Sequence, residues 1–182
     1  DNSAALTVNL TSDDTRGATV PVTVEIPAGE ASVTFTVTAQ DDALADGDQT
    51  VTISAAATGF VDGSDTISIT DDETPTLTVT AGDADISENG GTSTFTVSRN
   101  TEDNSAALTV TLSSDDTSEG TVPATVEIPA GQASVTFTLT AVNDALADGN
   151  QTVTVSAAAA SFTGGNDTIS ITDDETPTLT VT

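Results

Sequence analysis

Residues 126–141, VEIPAGQASVTFTLTA, decide the fold. In the second half of this stretch Val135, Phe137 and Leu139 alternate with polar residues, so they share one face of an extended strand. The residues PAG at 129–131 are typical of a tight turn. Because Val and Thr suit a half-buried pleated surface, the stretch predicts two antiparallel strands joined by that turn.

The same stretch occurs earlier in the chain, at residues 24–39, as VEIPAGEASVTFTVTA. Residues 1–80 return without a gap as residues 103–182, and 17 of the 80 aligned positions differ. Such similar copies indicate a tandem array of one module. We expect three pieces of that array, which are a partial repeat lacking its first two strands (1–74), a complete repeat (75–176) and the first strand of a following repeat (177–182).

The complete repeat contains seven short stretches of period-two alternation separated by turn residues. This pattern is typical of an immunoglobulin-like sandwich. We therefore predict an all-β chain of tandem seven-stranded antiparallel sandwiches. Pro123 lies inside the fourth strand, which favours an edge position for that strand. The predicted strands are 76–80, 92–98, 106–113, 121–128, 133–141, 152–158 and 168–172.

The composition excludes most catalytic chemistry. The chain has no Cys, His, Lys, Met, Trp or Tyr, and its two cations are Arg16 and Arg99. The usual general bases, thiol nucleophiles and Schiff-base formers are therefore missing. Chemistry with carboxylates alone, as in glycosidases, stays formally open. It normally needs a cleft lined by aromatic rings, and five Phe do not supply one, so we expect no enzyme.

The net charge of −27 limits the partners. Nucleic-acid binding needs clustered Lys and Arg, so we expect no nucleic-acid partner. No run of 18 apolar residues exists, so we expect no insertion into a membrane. One interpretation is that the negative charge only keeps the protein soluble. In that case the acidic residues would be spread evenly over every exposed face.

The acids are instead concentrated in particular loops. If successive strands run antiparallel, four connections share one end of the sandwich and collect most of its carboxylates, whereas the other end receives three. Crowded carboxylates repel one another by about 1–4 kcal/mol per neighbouring pair. Either these acids solvate their loops, or a hard dication such as Ca²⁺ holds them together. The acids of the crowded end are Asp83, Asp85, Glu88, Asp115, Asp116, Glu119, Asp144, Asp148, Asp173, Asp174 and Glu175.

Three acidic segments resemble the Calx-beta family, the calcium-binding repeats of sodium–calcium exchangers. The first is ISENGG at 86–91. The second is DDALADGD at 41–48, with its copy NDALADGN at 143–150. The third is ITDDE at 69–73, with its copy at 171–175. The resemblance implies a calcium-binding immunoglobulin-like fold, with Ca²⁺ as the cofactor.

The resemblance also implies a set of ligands. In the complete repeat these are Glu88, Asp144, Asp148, Asp173, Asp174 and Glu175, with Asp115 or Asp116 as further candidates. In the partial repeat the corresponding residues are Asp41, Asp42, Asp46, Asp71 and Asp72. The chain differs from the family pattern at two of these places. Asp46 and Asp148 stand where the family often has Glu, and Asn143 replaces an Asp.

The leading functional interpretation is a structural module of a large extracellular or cell-surface protein. Neighbouring repeats of the same protein would be its partners, with calcium stiffening an adhesin stalk or a filament that assembles into fibres. Two alternatives stay open. One is a glycan- or protein-recognition module, and the other is a calcium sensor domain.

Overall fold

The computed structural model describes residues 3–179, and within them every regular element is a β-strand. The predicted all-β class is therefore confirmed. The same residues contain no helix long and apolar enough to cross a membrane. The chain divides between Glu73 and Thr74 into two compact units, called here unit 1 and unit 2.

Unit 2 is a two-sheet sandwich. One sheet has the order β12-β10-β14-β15-β8 and the other has the order β11-β13-β9-β7. All pairs are antiparallel except β8, which lies parallel to β15. The strands are β7 (Leu77–Ala81), β8 (Asp85–Ser87), β9 (Thr92–Arg99), β10 (Leu108–Ser114), β11 (Gly120–Thr121), β12 (Thr125–Ile128), β13 (Ser134–Ala141), β14 (Gln151–Ala158) and β15 (Gly165–Thr172).

The core of unit 2 lies between the two sheets. Strands β9 and β13 alternate buried and exposed residues along their length, as the period-two sequence pattern predicts. Phe95 and Phe137 face each other in register, with ring centroids 5.7 Å apart. Such an aromatic pair adds about 0.5–1.5 kcal/mol to the stability that burial supplies.

Two details of unit 2 differ from the sequence prediction. The predicted fourth strand, 121–128, is broken at Pro123 into β11 and β12, which are edge strands of different sheets. Proline has no N–H for a ladder, so the chain crosses between sheets there. The predicted loop after β7 contains the unpredicted β8. The chain changes sheets at Gly82, where a Cβ would lie 2.4 Å from the Thr94 carbonyl oxygen.

Unit 1 has a four-stranded sheet of order β3-β1-β5-β6 and a separate β2-β4 pair. Its strands correspond in sequence to β10 onward of unit 2. Within the described residues it has no counterpart of β7 or β9. The strands are β1 (Leu6–Ser12), β2 (Ala18–Thr19), β3 (Thr23–Ile26), β4 (Thr38–Ala39), β5 (Gln49–Ala56) and β6 (Gly63–Ile69).

Equivalent apolar residues are buried in unit 2 and exposed in unit 1. Phe35 is 39% exposed, whereas its counterpart Phe137 is 7% exposed. Ile67 is 40% exposed, whereas Ile169 is 1% exposed. The segment 32–37 is also not a strand, although its counterpart in unit 2 pairs with β9. Unit 1 therefore has a smaller core than unit 2.

The predicted boundaries of the repeats remain predictions, although the units divide close to one of them. The structure has no strand in residues 173–179. The predicted first strand of a following repeat, 177–182, falls partly on residues 180–182, which lie outside the described range.

The equivalent phenylalanines give a matched test of the two cores. We expect Phe137→Ala to lower the free energy of unfolding of unit 2 by about 3–5 kcal/mol, because it removes a buried ring. Phe35→Ala should cost unit 1 about 1 kcal/mol or less, because that ring is largely solvated. Calorimetry with circular dichroism is the suitable measurement, since the chain has no Trp or Tyr. Equal losses in the two units would contradict the difference in burial.

Candidate metal centre

Acidic side chains from four connections of unit 2 approach one another at one end of the sandwich. Two groups of three supply carboxylate oxygens that lie within 4.8 Å of one another, namely Glu88 with Asp173 and Glu175, and Glu119 with Asp144 and Asp148. The first group is called here cluster 1 and the second cluster 2. The charge of Glu88 also acts on Glu119, so the two clusters are electrostatic neighbours.

Cluster 1 contains a buried oxygen that lacks a donor. Glu88 is 2% exposed, which is rare for a carboxylate. Oε2 of Glu175 is buried and has no hydrogen-bond partner among residues 3–179. Buried polar atoms are usually hydrogen-bonded, so an orphan of this kind requires an explanation.

The explanation lies in how close the two glutamates are. A hydrogen bond shared with Glu88, burial, and the charges of Glu88 and Asp174 raise the pKa of Glu175 to about 7. That hydrogen bond needs a proton on one of the two carboxyl groups, because ionised carboxylates only accept. Two ionised carboxylates in this position would place one acceptor against another. Either a proton on one of the two groups or a cation between them relieves this repulsion.

Backbone donors fix the third member of cluster 1. The N–H of Gly149 donates to Asp173 Oδ2 at 2.6 Å, and the N–H of Glu175 donates to Asp173 Oδ1 at 2.8 Å. These two bonds hold the pKa of Asp173 below its usual range, and the bond from the Glu175 N–H has the larger effect. Asp173 is therefore a carboxylate anion held against the connection between β13 and β14.

A glycine turn positions Glu88. The N–H of Gly91 donates to the Ser87 carbonyl oxygen at 3.0 Å, and a Cβ at Gly91 would lie 2.2 Å from that oxygen. The N–H of Glu88 donates to the carbonyl of Thr172, the last residue of β15, at 3.1 Å. The turn and the parallel pairing of β8 with β15 together bring Glu88 beside the residues that follow β15.

Cluster 2 contains a second buried glutamate. Glu119 is 6% exposed and lies just before β11. Burial first, and then the charges of Asp148, Asp116 and Asp144, raise the pKa of Glu119. The Leu146 N–H donates to Asp144 Oδ1 at 2.6 Å, which orients that carboxylate.

The remaining predicted acids of unit 2 have other partners. Asp115 accepts from the Thr154 N–H at 2.7 Å. Hydrogen bonding with the Thr154 side chain first, and then with its N–H, lowers the pKa of Asp115. Asp116 accepts from Ser118. Asp174 accepts from the Asn89 side chain at 2.9 Å and its N–H donates to Glu88 at 3.4 Å.

Two further acids that were expected at this end are not in either cluster. Asp85 belongs to β8, where it pairs with Ser170. Asp83 accepts a hydrogen bond from the Ser93 hydroxyl at 2.8 Å.

Unit 1 has a weaker version of this arrangement. Its group of close carboxylates is Asp41, Asp72 and Glu73, in which none of the three is buried. A hydrogen bond with Asp71 is the main cause that raises the pKa of Glu73, followed by burial and the charges of Asp72 and Asp41.

The other predicted ligands of unit 1 lie outside this group. Asp71 accepts from the Gly47 N–H, as Asp173 does from Gly149 in unit 2. Asp42 accepts from the Leu44 N–H at 2.7 Å. Asp46 is not part of the group either.

The ligands predicted from the sequence do not include Glu119 and Glu73, which are members of these groups. Glu119 was assigned to the crowded end but not to the ligand set. The two copies of the repeat differ at this position, where unit 1 has Gly17, and this difference is what distinguishes Glu119 in the sequence. Glu73 carried no such signal, since its acidic segment is identical in both copies.

The donor set suits a hard cation and little else. Every side chain in the three groups offers carboxylate oxygen, and the chain has no His or Cys for zinc or copper. The unpartnered Oε2 of Glu175 fits a cation ligand, since a cation would remove the acceptor–acceptor contact.

No protein-family model matches the chain. No curated protein matches it either. Among solved structures it is similar to the calcium binding domain CBD12 of CALX1.1 and to CBD12 from CALX1.2. Each is 13% identical with a TM-score of 0.38, over 87% of this chain and 69% of the other. It is also similar to protocadherin gamma B2 extracellular cadherin domains 1–5, at 12% identity and a TM-score of 0.46, over 93% of this chain and 32% of the other. These similarities are too remote to place the chain in a family.

The pH dependence of stability tests cluster 1 directly. In a chelator, unit 2 should lose stability as the pH rises from about 4.5 to about 7. The pKa of Glu175 is raised from 4.5 to about 7 in the folded unit, so the folded state binds more protons across this window. Glu175→Gln, which places an amide donor opposite Glu88, should flatten this part of the profile.

Thermal melts followed by circular dichroism between pH 4.5 and 7.5 measure the effect. Glu127→Gln, on the exposed side of β12, is the matched control and should keep the wild-type profile. A wild-type profile that rises over this window, or that Glu175→Gln leaves unchanged, would contradict the acceptor–acceptor contact.

Proposed function

We propose that the chain is a calcium-binding module and that clusters 1 and 2 of unit 2 supply the ligands. The observation that carries the proposal is the buried, unpartnered Oε2 of Glu175, in the same group of carboxylates as the buried Glu88. A carboxylate pair in this state costs stability at neutral pH unless a positive charge compensates it. A dication supplies that charge and accepts oxygens from both groups.

Calcium fits the ligands better than magnesium does. Calcium takes six to eight oxygens at about 2.3–2.6 Å in flexible geometry, whereas magnesium needs a near-ideal octahedron and keeps several waters. The carboxylates here come from separate connections of a sandwich, and neighbouring carbonyls in irregular loops add further oxygens. Oxygens supplied from several separate connections favour the larger ion, which accepts more ligands in less regular geometry.

Unit 1 should bind calcium more weakly than unit 2. Its group has no counterpart of Glu88 among the described residues, and Gly17 replaces Glu119. Its three carboxylates are exposed or half-exposed, so water competes for them and screens their repulsion.

We further propose that the module is a stalk or filament segment of an extracellular or cell-surface protein. The supporting feature is the position of the acids along the chain. Asp72 and Glu73 are the last residues of unit 1, and Asp174 and Glu175 stand at the equivalent place after β15. Ions held there would restrict the segment that leads into a neighbouring repeat. Fibre assembly and partner binding at the opposite end belong to the same proposal.

The chemistry of the chain supports a calcium clamp over other ways of stiffening. The chain has no Cys for a disulfide and no Lys for a side-chain isopeptide bond. Calcium that binds the folded form alone adds about 2.7 kcal/mol at a hundredfold excess over Kd. Dissociation constants of about 10⁻⁴–10⁻³ M would suit an extracellular module.

Calcium titration of three variants tests the ligand assignment. We expect wild-type protein to bind calcium with release of protons, because Glu175 is partly protonated at pH 7 without the ion. Glu88→Gln and Glu175→Gln should each weaken the tighter binding event about tenfold or more, which corresponds to about 1.4 kcal/mol. Isothermal titration calorimetry in two buffers of different ionisation enthalpy measures both the affinity and the protons released.

The control removes the same charge from another place. Glu127→Gln lowers the net negative charge by one but lies on β12, so its calcium affinity should equal that of wild type. If all three variants lose the same small amount of affinity, the binding is diffuse attraction to an acidic surface, and the proposed site is wrong.

Distance measurements between the units test the stalk proposal. Thr23→Cys and Thr125→Cys place spin labels at equivalent exposed positions of β3 and β12, in a chain with no native Cys. Calcium should narrow the distribution of label distances measured by pulsed electron resonance. Asp72→Asn with Glu73→Gln should restore the broad distribution. A distribution that calcium leaves unchanged, in protein shown to bind calcium, would reject the stalk role and leave the binding site intact.

A further inference from the structure

Unit 1 leaves uncovered the residues that β7 and β9 cover in unit 2. Phe137 packs on Phe95 of β9, whereas the equivalent Phe35 is 39% exposed. In unit 2, Thr163 exchanges backbone hydrogen bonds with Pro75 and Leu77, each of 2.8 Å. Its counterpart Val61 is 98% exposed. Unit 1 therefore presents, at the equivalent places, an apolar face and backbone that belongs to no strand.

Two glycines at equivalent positions show the same difference between a covered face in unit 2 and an uncovered face in unit 1. Gly165 lies against β7, and a Cβ there would be 2.2 Å from the Leu77 carbonyl oxygen. Gly63, at the equivalent position of unit 1, would meet nothing within 4 Å. In unit 2 the absence of a side chain at this position is explained by a strand that crosses it. In unit 1 the same residue faces open space.

The uncovered face includes a cavity of about 270 Å³. Leu6, Ile26, Pro27, Glu30 and Phe60 are among the residues that line it. The equivalent place in unit 2 is filled by a side chain from the end of β9, as the hydrogen bonds of Arg99 show.

Arg99 is 8% exposed and donates to backbone carbonyls. Its guanidinium reaches Gln132 at 2.8 Å, Ala106 at 3.0 Å and Pro129 at 3.4 Å. The counterparts of these three acceptor residues are Glu30, Ala4 and Pro27, and all three line the cavity of unit 1. The cavity thus presents acceptors to a planar cation, and the described residues that line it include no arginine.

Charge favours the same occupant. Glu30 lines this cavity at the position where unit 2 has Gln132, so the lining carries a negative charge that attracts a cation. Arginine suits such a site because its five N–H donors are fixed in a plane and it always stays charged.

We infer that unit 1 is a receptor for a strand pair with the sequence character of residues 75–102. Its second strand adds to the segment 32–37, its apolar residues cover Phe35 and Ile67, and its arginine enters the cavity beside Glu30 and Phe60. In unit 2 residues 75–102 run directly into Asp103, the counterpart of Asp1, so the same register places the arginine at the cavity. This pairing does not depend on calcium.

The test joins a copy of residues 75–102 ahead of Asp1 in the full chain. We expect the melting transition of unit 1 to rise by at least about 5 °C, while that of unit 2 stays unchanged. The added segment should also resist proteolysis, and the protein should stay monomeric by light scattering. Calorimetry in a chelator separates this effect from calcium binding.

Two variants of the added segment show whether it docks in the inferred register. A segment carrying the equivalent of Phe95→Asp should lose the whole shift, because the charge would enter the core. A segment carrying the equivalent of Arg99→Ala should lose a substantial part of it. The effect of this arginine substitution should become smaller when Glu30→Gln is introduced, since the charge pair is then absent.

Three results would overturn the inference. The first is an added segment that remains protease-sensitive and shifts nothing. The second is an equal shift with the Phe95→Asp version, which would indicate a general effect of lengthening the chain. The third is a dimer of the unextended protein whose unit 1 already melts as high as in the extended one, which would assign the face to a second copy.

Discussion

The close approach of two glutamates is the constraint on which the interpretation of this protein rests, because Glu88 is buried and Oε2 of Glu175 is buried without a hydrogen-bond partner among residues 3–179. Glu88 and Glu175 are brought together by the parallel pairing of β8 with β15, and their closeness raises the pKa of Glu175 to about 7. A fold that only needed acidic loops for solubility would leave such groups in water, where they cost nothing. Here the sandwich buries Glu88 and leaves an oxygen of Glu175 unpartnered, so the folded unit requires either a proton or a cation at that place.

The sequence allows much of the sandwich to be predicted, because its period-two pattern is strong. The predicted strands 92–98 and 133–141 are confirmed as the core strands β9 and β13, and the structure adds that they pair with Phe95 opposite Phe137. Short elements without alternation are not predictable in this way. Strand β8 has three residues, and it forms because Gly82 lets the chain cross to the other sheet. Pro123 correctly indicates an edge strand, but the change from one sheet to the other at this residue depends on tertiary packing.

The location of the candidate site is predictable from the sequence, but the carboxylates that belong to it are not. Antiparallel connectivity correctly indicated which loops share one end of the sandwich. The contacts that single out individual carboxylates are three-dimensional. Asp115 is occupied by the Thr154 N–H, whereas Glu119 is buried beside Asp144 and Asp148. Neighbouring acids in one loop thus have different roles, and a comparison of Glu119 with Gly17 was the remaining signal in the sequence.

A crystal structure of the protein grown with calcium tests the central claim most directly. The account predicts an anomalous scatterer about 2.3–2.6 Å from oxygens of Glu88, Asp173 and Glu175, with Glu175 Oε2 now a ligand. A map at neutral pH and millimolar calcium that shows the two glutamates sharing a proton, with no ion between them, would contradict it.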